Sequence, residues 1–320
     1  MFFSMLQSAI RFSTVFLFGS TGETIVEKSG HLNLGIPGIM CIGATGGCIG
    51  ARIYMNGLAD PTMVVPFLLV LTSIIFAMIF AGAAGLVYGF MTISLRSNQN
   101  VTGLALTTLG TGVLTIWGTK AKASGVDLAT PSEYFQHLFP DRWFAKGGPS
   151  IFLSFGPLVY LAIVIAIITT IVFRHTRVGL SLTAVGENPG TADAAGINVT
   201  GYKYVSCVLG AAIAGIGGLF YLMDKSMGSL EYVVDAMGWL AVALVIFSMW
   251  RPLLGIFGSI IFGFFMILPS KLNPTFAQME LFNMLPYAVT IIVLIVVSIV
   301  GKKETQPPTS LGQNYFREER

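Results

Sequence analysis

Long runs of uncharged, mostly apolar residues recur along almost the whole chain, and they limit its fold more than any other feature. A helix that crosses the hydrocarbon layer needs about 20 such residues. Roughly nine runs reach or approach that length, near 4–21, 36–53, 64–94, 99–118, 151–173, 203–223, 236–250, 253–269 and 284–300. Little is left over for a soluble surface: 10% of the 320 residues are charged and 54% are hydrophobic. A soluble domain carries about 25% charge. The pattern excludes a soluble enzyme, a disordered chain and a basic nucleic-acid binder. The formal charge of +3 is too small and too scattered to steer an acidic partner. The expected fold is an all-α integral membrane protein, a polytopic helical bundle of about 8–10 transmembrane helices.

The run 64–94 is too long for one upright crossing, at about 46 Å against a hydrocarbon core of about 30 Å. It must tilt, project, or divide into two segments. Small residues repeat every fourth position at Ala81, Gly85 and Gly89, at Gly43/Gly47 and Gly46/Gly50, and at Ala211/Gly215 and Ala214/Gly218. Such stripes let helices approach closely, within the chain or at a subunit interface. No basic segment precedes the first run, so it is expected to be a retained helix. Trp239 and Trp250 flank the seventh run and read as interfacial anchors, with substrate stacking a second role for Trp239. Cys41, Cys48 and Cys207 sit in apolar runs and read as small buried hydrophobes.

Orientation follows from the Lys and Arg in short loops. With 174–202 inside, Lys28, Arg96, Arg174, Arg177, Lys203, Arg251, Lys302, Lys303, Arg317 and Arg320 fall inside too. Arg52, Lys120, Lys122, Arg142, Lys146, Lys225 and Lys271 fall outside. Nine crossings would place the N-terminus outside. The loop 119–150 is expected outside, with Trp143 and Phe144 at headgroup level. A transmembrane domain would then cover 1–301, and the tail 302–320, with Pro307, Pro308 and mixed charges, reads as disordered and cytoplasmic.

The loop 174–202 is expected to hold a short helix. Asn188 suits an N-cap and Pro189 the first helical position. Asp193 favours the positive end of the helix dipole, and Gly196 suits a left-handed end. About two turns of helix are marginal alone, so either the helix docks on something or the loop is a plain connector.

Polar residues gather near breaks in the helical pattern. Gly30, Gly35, Pro37 and Gly38 precede the second run, and Gly103, Gly110 and Gly112 are expected to interrupt the fourth. Broken segments are favoured places for transporter sites. Asn33, Asn100, Thr102 and Thr108 are the candidate path residues, beside Asn98, Gln99, Thr107 and Thr111. Their hydroxyls and amides suit hydroxylated or base-bearing solutes, or bond only within and between helices. The runs hold almost no ionisable residue, which counts against proton coupling. Glu23 and Glu27 lie nearest a run and are expected to face water or a vestibule. His31, His137 and His175 are isolated, with a surface or capping role expected and no metal-ligand spacing. No Gly-x-x-x-x-Gly-Lys-[Ser/Thr] occurs, so the chain has no phosphate-cradling loop of its own. No nucleophile–base or HExxH pattern marks a membrane enzyme.

Four stretches resemble one family. Ala184-Val185-Gly186-Glu187-Asn188-Pro189, followed by Ala192-x-Ala194-Ala195-Gly196-Ile197-Asn198-Val199, resembles the cytoplasmic coupling loop of ABC-importer permeases of the simple-sugar and nucleoside type. Glu27-Lys28-Ser29-Gly30-His31-Leu32-Asn33-Leu34-Gly35-Ile36-Pro37-Gly38 resembles their N-terminal signature, with Pro37 where that signature usually has Glu. Leu95-Arg96-Ser97-Asn98-Gln99-Asn100-Val101-Thr102-Gly103 is similar to a later one, and 241–255, through Trp250-Arg251-Pro252, to another. The order matches the family's, and the N-terminal signature is nearest the purine-nucleoside systems linked to basic membrane lipoproteins. The resemblance implies a short cytoplasmic coupling helix in which Gly186, Glu187, Asn188, Pro189, Asp193 and Gly196 meet an ABC ATPase subunit. It also implies a second permease subunit, an external substrate-binding lipoprotein, a bacterial inner-membrane location, and no cofactor of the chain's own, ATP being bound by the partner. The competing reading is a self-sufficient secondary transporter or facilitative channel for a small neutral solute.

Overall fold

The computed structural model describes residues 2–58, 60, 63–137, 154–229, 234–272, 275–300 and 306–316. Among these residues the regular structure is entirely helical. In chain order the helices are α1 (Phe2–Glu27), α2 (Ile36–Asn56), α3 (Pro66–Gly89), α4 (Gln99–Ala123), α5 (Ala129–Gln136), α6 (Pro157–His175), α7 (Arg177–Glu187), α8 (Pro189–Ala194), α9 (Val199–Phe220), α10 (Val234–Phe247), α11 (Pro252–Leu272) and α12 (Phe276–Val300).

Local chemistry sets many of the boundaries. Pro occupies the first turn of α2, α3 and α6, where its missing N–H leaves no intrahelical bond unmade. The Asn98 side chain caps α4 through Val101 N–H, and Thr176 caps α7 through Gly179 N–H. Lys120 and Lys122 close α4, and Arg174 and His175 close α6, all at the end where a helix dipole favours cations.

Seven helices are long and apolar enough to cross a membrane: α2, α3, α4, α6, α9, α11 and α12. The chain is thus a polytopic helical membrane protein. Two of the nine expected spans fall outside the seven. The first lies in α1, which is diluted by Gln7, Arg11, Glu23 and Glu27. The seventh lies in α10, which is short, with a contiguous apolar part of Ala236–Phe247. The overlong run near 64–94 is one continuous helix of 29 residues, because α3 runs on through a π-helical turn at Phe90–Ser94. α9 likewise continues through Tyr221–Lys225. α4 is not interrupted by its glycines, contrary to the sequence expectation.

The small-residue stripes do the packing, and among the described residues they do it within this chain. Gly43 faces Gly215, Gly218 lies on the backbone of Met40, and Gly85 lies on Cys207 and Ala211. Gly46 and Gly50 receive Phe80 and Phe76, and Gly38 meets Leu106, Thr107 and Gly110 where α2 crosses α4. Backbones approach so closely that a Cβ at any of these sites would collide, which is why glycine stands there. α2 and α9 form the buried centre, with 83% and 78% of their spans covered, against 22% for α4. The three cysteines are buried and form no disulfide, as expected.

The two ends of the bundle differ. One collects the turns at 28–35 and 95–98, the loop 176–198 and residues 306–316. The other collects α5, Asp224 and Lys225, where Arg11 pairs with Asp224 at 3.8 Å and Lys225 lies over the Phe12 ring. Lys28 and Arg96 lie at the first end and Lys225 at the second. Residues 142–146, including Trp143 and Phe144, lie outside the described residues.

Candidate coupling end and candidate path face

The turn between α1 and α2 is a polar elbow in an apolar bundle. Gly30 takes φ +86°, a left-handed conformation that a side chain would disfavour. Glu23 Oε1 accepts from Asn33 N–H at 3.1 Å, and Asn33 Oδ1 accepts from Gly35 N–H at 2.9 Å. Three neighbours hold the elbow's own backbone. Tyr88 donates to Leu32 O at 2.8 Å, Gln99 Oε1 accepts from Leu32 N–H at 2.8 Å, and Thr107 donates to Leu34 O at 2.9 Å. The Trp250 indole N–H donates to Glu27.

Several sequence expectations are corrected at this elbow. Glu23 and Glu27 do not face water: both are buried, one of them bonded to an indole. Trp250 is not an interfacial anchor but a buried donor. His31 is 2% exposed, not a surface histidine. The common cause is tertiary: polar groups that look marginal in a one-dimensional reading find partners once α1, α2, α4 and α10 converge.

The short helix of 174–202 forms as its residues predict. Asn188 Oδ1 accepts from Thr191 N–H at 3.0 Å, Pro189 opens α8, and Gly196 ends it with φ +83°. α7 delivers Gly186 against the elbow, so near the Lys28 carbonyl that a Cβ would collide. Burial pulls the Lys28 ammonium below its ordinary value, and the Glu187 carboxylate opposes that shift. Asn188 and Thr191 are exposed, while Ala192 packs with Val185 and Val199 beneath them. The result is a helix held from below with its outer face open.

Composition predicts disorder for 302–320, and residues 306–316 depart from it by lying as a strap across this end. Ser310 donates to Gly186 O through both its N–H (3.0 Å) and its hydroxyl (2.6 Å). Gly312 N–H donates to Gly30 O at 3.1 Å, and Thr309 donates to Glu187 at 2.7 Å. Tyr315 donates to Asp193 at 2.8 Å, Asn314 donates to Arg96 O at 2.7 Å, and Arg96 stacks over Phe316 at 4.7 Å. The strap therefore ties together three of the four signature stretches. Low hydrophobicity suggested an unpacked segment, but its order comes from polar bonds to other turns, which composition does not encode.

The expected path residues do not share one cavity. Asn33 is buried and spends its carbonyl within the elbow. Asn100 is exposed in the first turn of α4, and Thr102 bonds Ser97 and Asn98 O. Thr108 belongs to a ladder with Thr111, Thr115 and Thr119, each hydroxyl bonded to a carbonyl three or four residues back. Among the described residues no helix covers this face of α4, and Gly112 on it has open space around it. Trp239 is half-buried on α10, beside Gly238, which packs on Pro37. The departure from the family signature at Pro37 is thus filled by helix contact. Lys203, counted in the sequence reading among the cations of the inside loops, is instead buried on α9 at the start of an apolar run.

A bundle with lipid-length helices, an open polar face on α4 and a capped helix held out at one end is a membrane permease in class. The family model of the branched-chain amino acid transport system / permease component matches residues 5–294. The chain belongs to that family. A putative glucose ABC transporter permease protein of Haloferax volcanii is 30% identical, with 98% of each chain covered. A nucleoside ABC transporter permease protein of Lactococcus lactis is 29% identical over 96% of this chain and 94% of its own. A guanosine ABC transporter permease protein of Bacillus subtilis is 26% identical over 99% and 97%. No solved structure matches the chain. Membership of a permease-component family sets aside the self-sufficient channel or secondary transporter.

Proposed function

We propose that this permease forms half of the path of an ATP-driven importer of nucleosides. The supporting observation is the full-length similarity to two permeases named for nucleosides and guanosine. In this reading the end bearing α8 is cytoplasmic, and Gly186, Glu187, Asn188, Pro189, Asp193 and Gly196 receive the motion of a partner ATPase. That partner binds and hydrolyses ATP, since this sequence carries no phosphate-binding loop. A second permease subunit covers the threonine face of α4, and an external binding lipoprotein delivers the solute. The packed helices rock as rigid bodies between outward-open and inward-open states. Hydroxyls of Thr108 and Thr111 and the amide of Asn100 exchange hydrogen bonds with ribose and base groups along the way.

The test is uptake by proteoliposomes that hold this chain with its ATPase, second permease and binding protein. Radiolabelled guanosine and glucose are compared, with and without ATP. ATP-dependent accumulation of guanosine that unlabelled glucose does not compete is the expected result. Uptake of glucose alone would replace the substrate class, a reading the 30%-identical relative favours.

A further inference from the structure

We propose that the cavity under the short helix, walled by His31, Arg96, Lys203 and Tyr315, is a binding site for a phosphate-class anion. The cavity holds about 480 Å³, within the range of ligand pockets and far above the ~30 Å³ of one water. Lys203 on α9 is 2% exposed, yet no carboxylate lies within ion-pairing distance of its ammonium among the described residues. A buried ammonium without a counter-charge is costly, and this one opens onto the cavity. His31 faces the same space, and its Nδ1 is buried without a partner. Burial and the neighbouring Lys203 hold its imidazole well below the ordinary value. It is therefore neutral and keeps one N–H to donate.

Arg96 is fixed on the wall by its left-handed backbone, φ 55°, and by the Phe316 ring. Among the described residues the wall carries one acid, Asp193, which accepts from Tyr315. α9 begins at Val199 on the wall and adds the positive end of its dipole. Two cations, a neutral imidazole and a helix N-terminus match an anion with several acceptor oxygens around one centre, which is a phosphate group. It would arrive on a lipid headgroup or as free phosphate. The bound group would bridge the elbow, the turn at 95–98, the short helix's loop and the strap, so occupancy would stiffen the end that bears α8.

The test uses the full chain in phosphatidylcholine nanodiscs and reads its unfolding temperature. One arm replaces chloride with inorganic phosphate at equal ionic strength, and the other replaces part of the lipid with phosphatidylglycerol. Stabilisation is expected in at least one arm, which names the source, because a ligand that binds the folded state raises its stability. Lys203→Met should unfold at a higher temperature without anion and show affinity about tenfold weaker or less. Arg96→Gln, at an exposed position, should show the same loss of affinity without the rise in unfolding temperature, and it carries the test if Lys203→Met fails to fold. No response to either probe, or responses equal in wild type and both variants, overturns the proposal.

Discussion

At the residue scale the elbow shows how a membrane bundle tolerates buried charge. Glu27 lies in the core of the coupling end and is bonded to the Trp250 indole, so its stability depends on a partner in the turn between α10 and α11, more than two hundred residues away in sequence. Trp250→Phe keeps the ring packing and removes the donor. It should cost on the order of 2 kcal/mol, the penalty of a buried carboxylate that loses a hydrogen bond. A lower unfolding temperature in detergent would register it, and Glu27→Gln in the same background should recover part of the loss. His31 gives a pH dependence with a definite sign. Its folded-state value is depressed, so the unfolded chain takes up the proton first as pH falls through about 6.5. Stability is full above that value and declines below it. His31→Gln should flatten the fall in unfolding temperature between about pH 7.5 and 5.5. An unchanged slope would mean that other groups titrate there.

At the scale of elements, α8 was legible because its signals are local: Asn188, Pro189 and Gly196 each act within a turn of the helix they delimit. Asn188→Ala should destabilise α8 by about 1 kcal/mol. In the reconstituted importer it should lower stimulation of ATP hydrolysis by the loaded binding protein more than assembly of the complex. Nucleotide-dependent ATPase assays on the purified complex separate the two effects. The strap was not legible, and neither was the burial of Glu23, Glu27 and His31. What orders them is hydrogen bonding between stretches far apart in sequence, such as Ser310 to Gly186 and Gly312 to Gly30. The glycine stripes were visible, but whether Gly43 meets Gly215 or another chain is a question of three-dimensional pairing. Removing residues 306–320 should leave the helical bundle intact, since its core lies in α1, α2, α3 and α9. It should also make the segment around Gly186 and Asp193 exchange amide hydrogens faster. Unchanged exchange there would show that the strap adds nothing to the order of this end.

At the scale of the whole molecule, hydropathy counted nine spans where seven helices are of membrane length; α1 and α10 fall outside because each mixes apolar length with polar or short stretches. The architecture is a centre of glycine-packed helices, with an open face on α4 and a rigidly seated α8 at one end. Its central functional claim is that α8 touches the motor. Thr191 is exposed on α8, and the three native cysteines are buried, so a thiol placed there can be labelled selectively. The direct measurement attaches a photo-crosslinker at Thr191→Cys in the complex from its native membrane and identifies the attached chain by mass. The account predicts a crosslink to an ABC ATPase whose yield changes with ATP. A chain that purifies without an ATPase, crosslinks only to lipid and still moves solute in liposomes without ATP would contradict it.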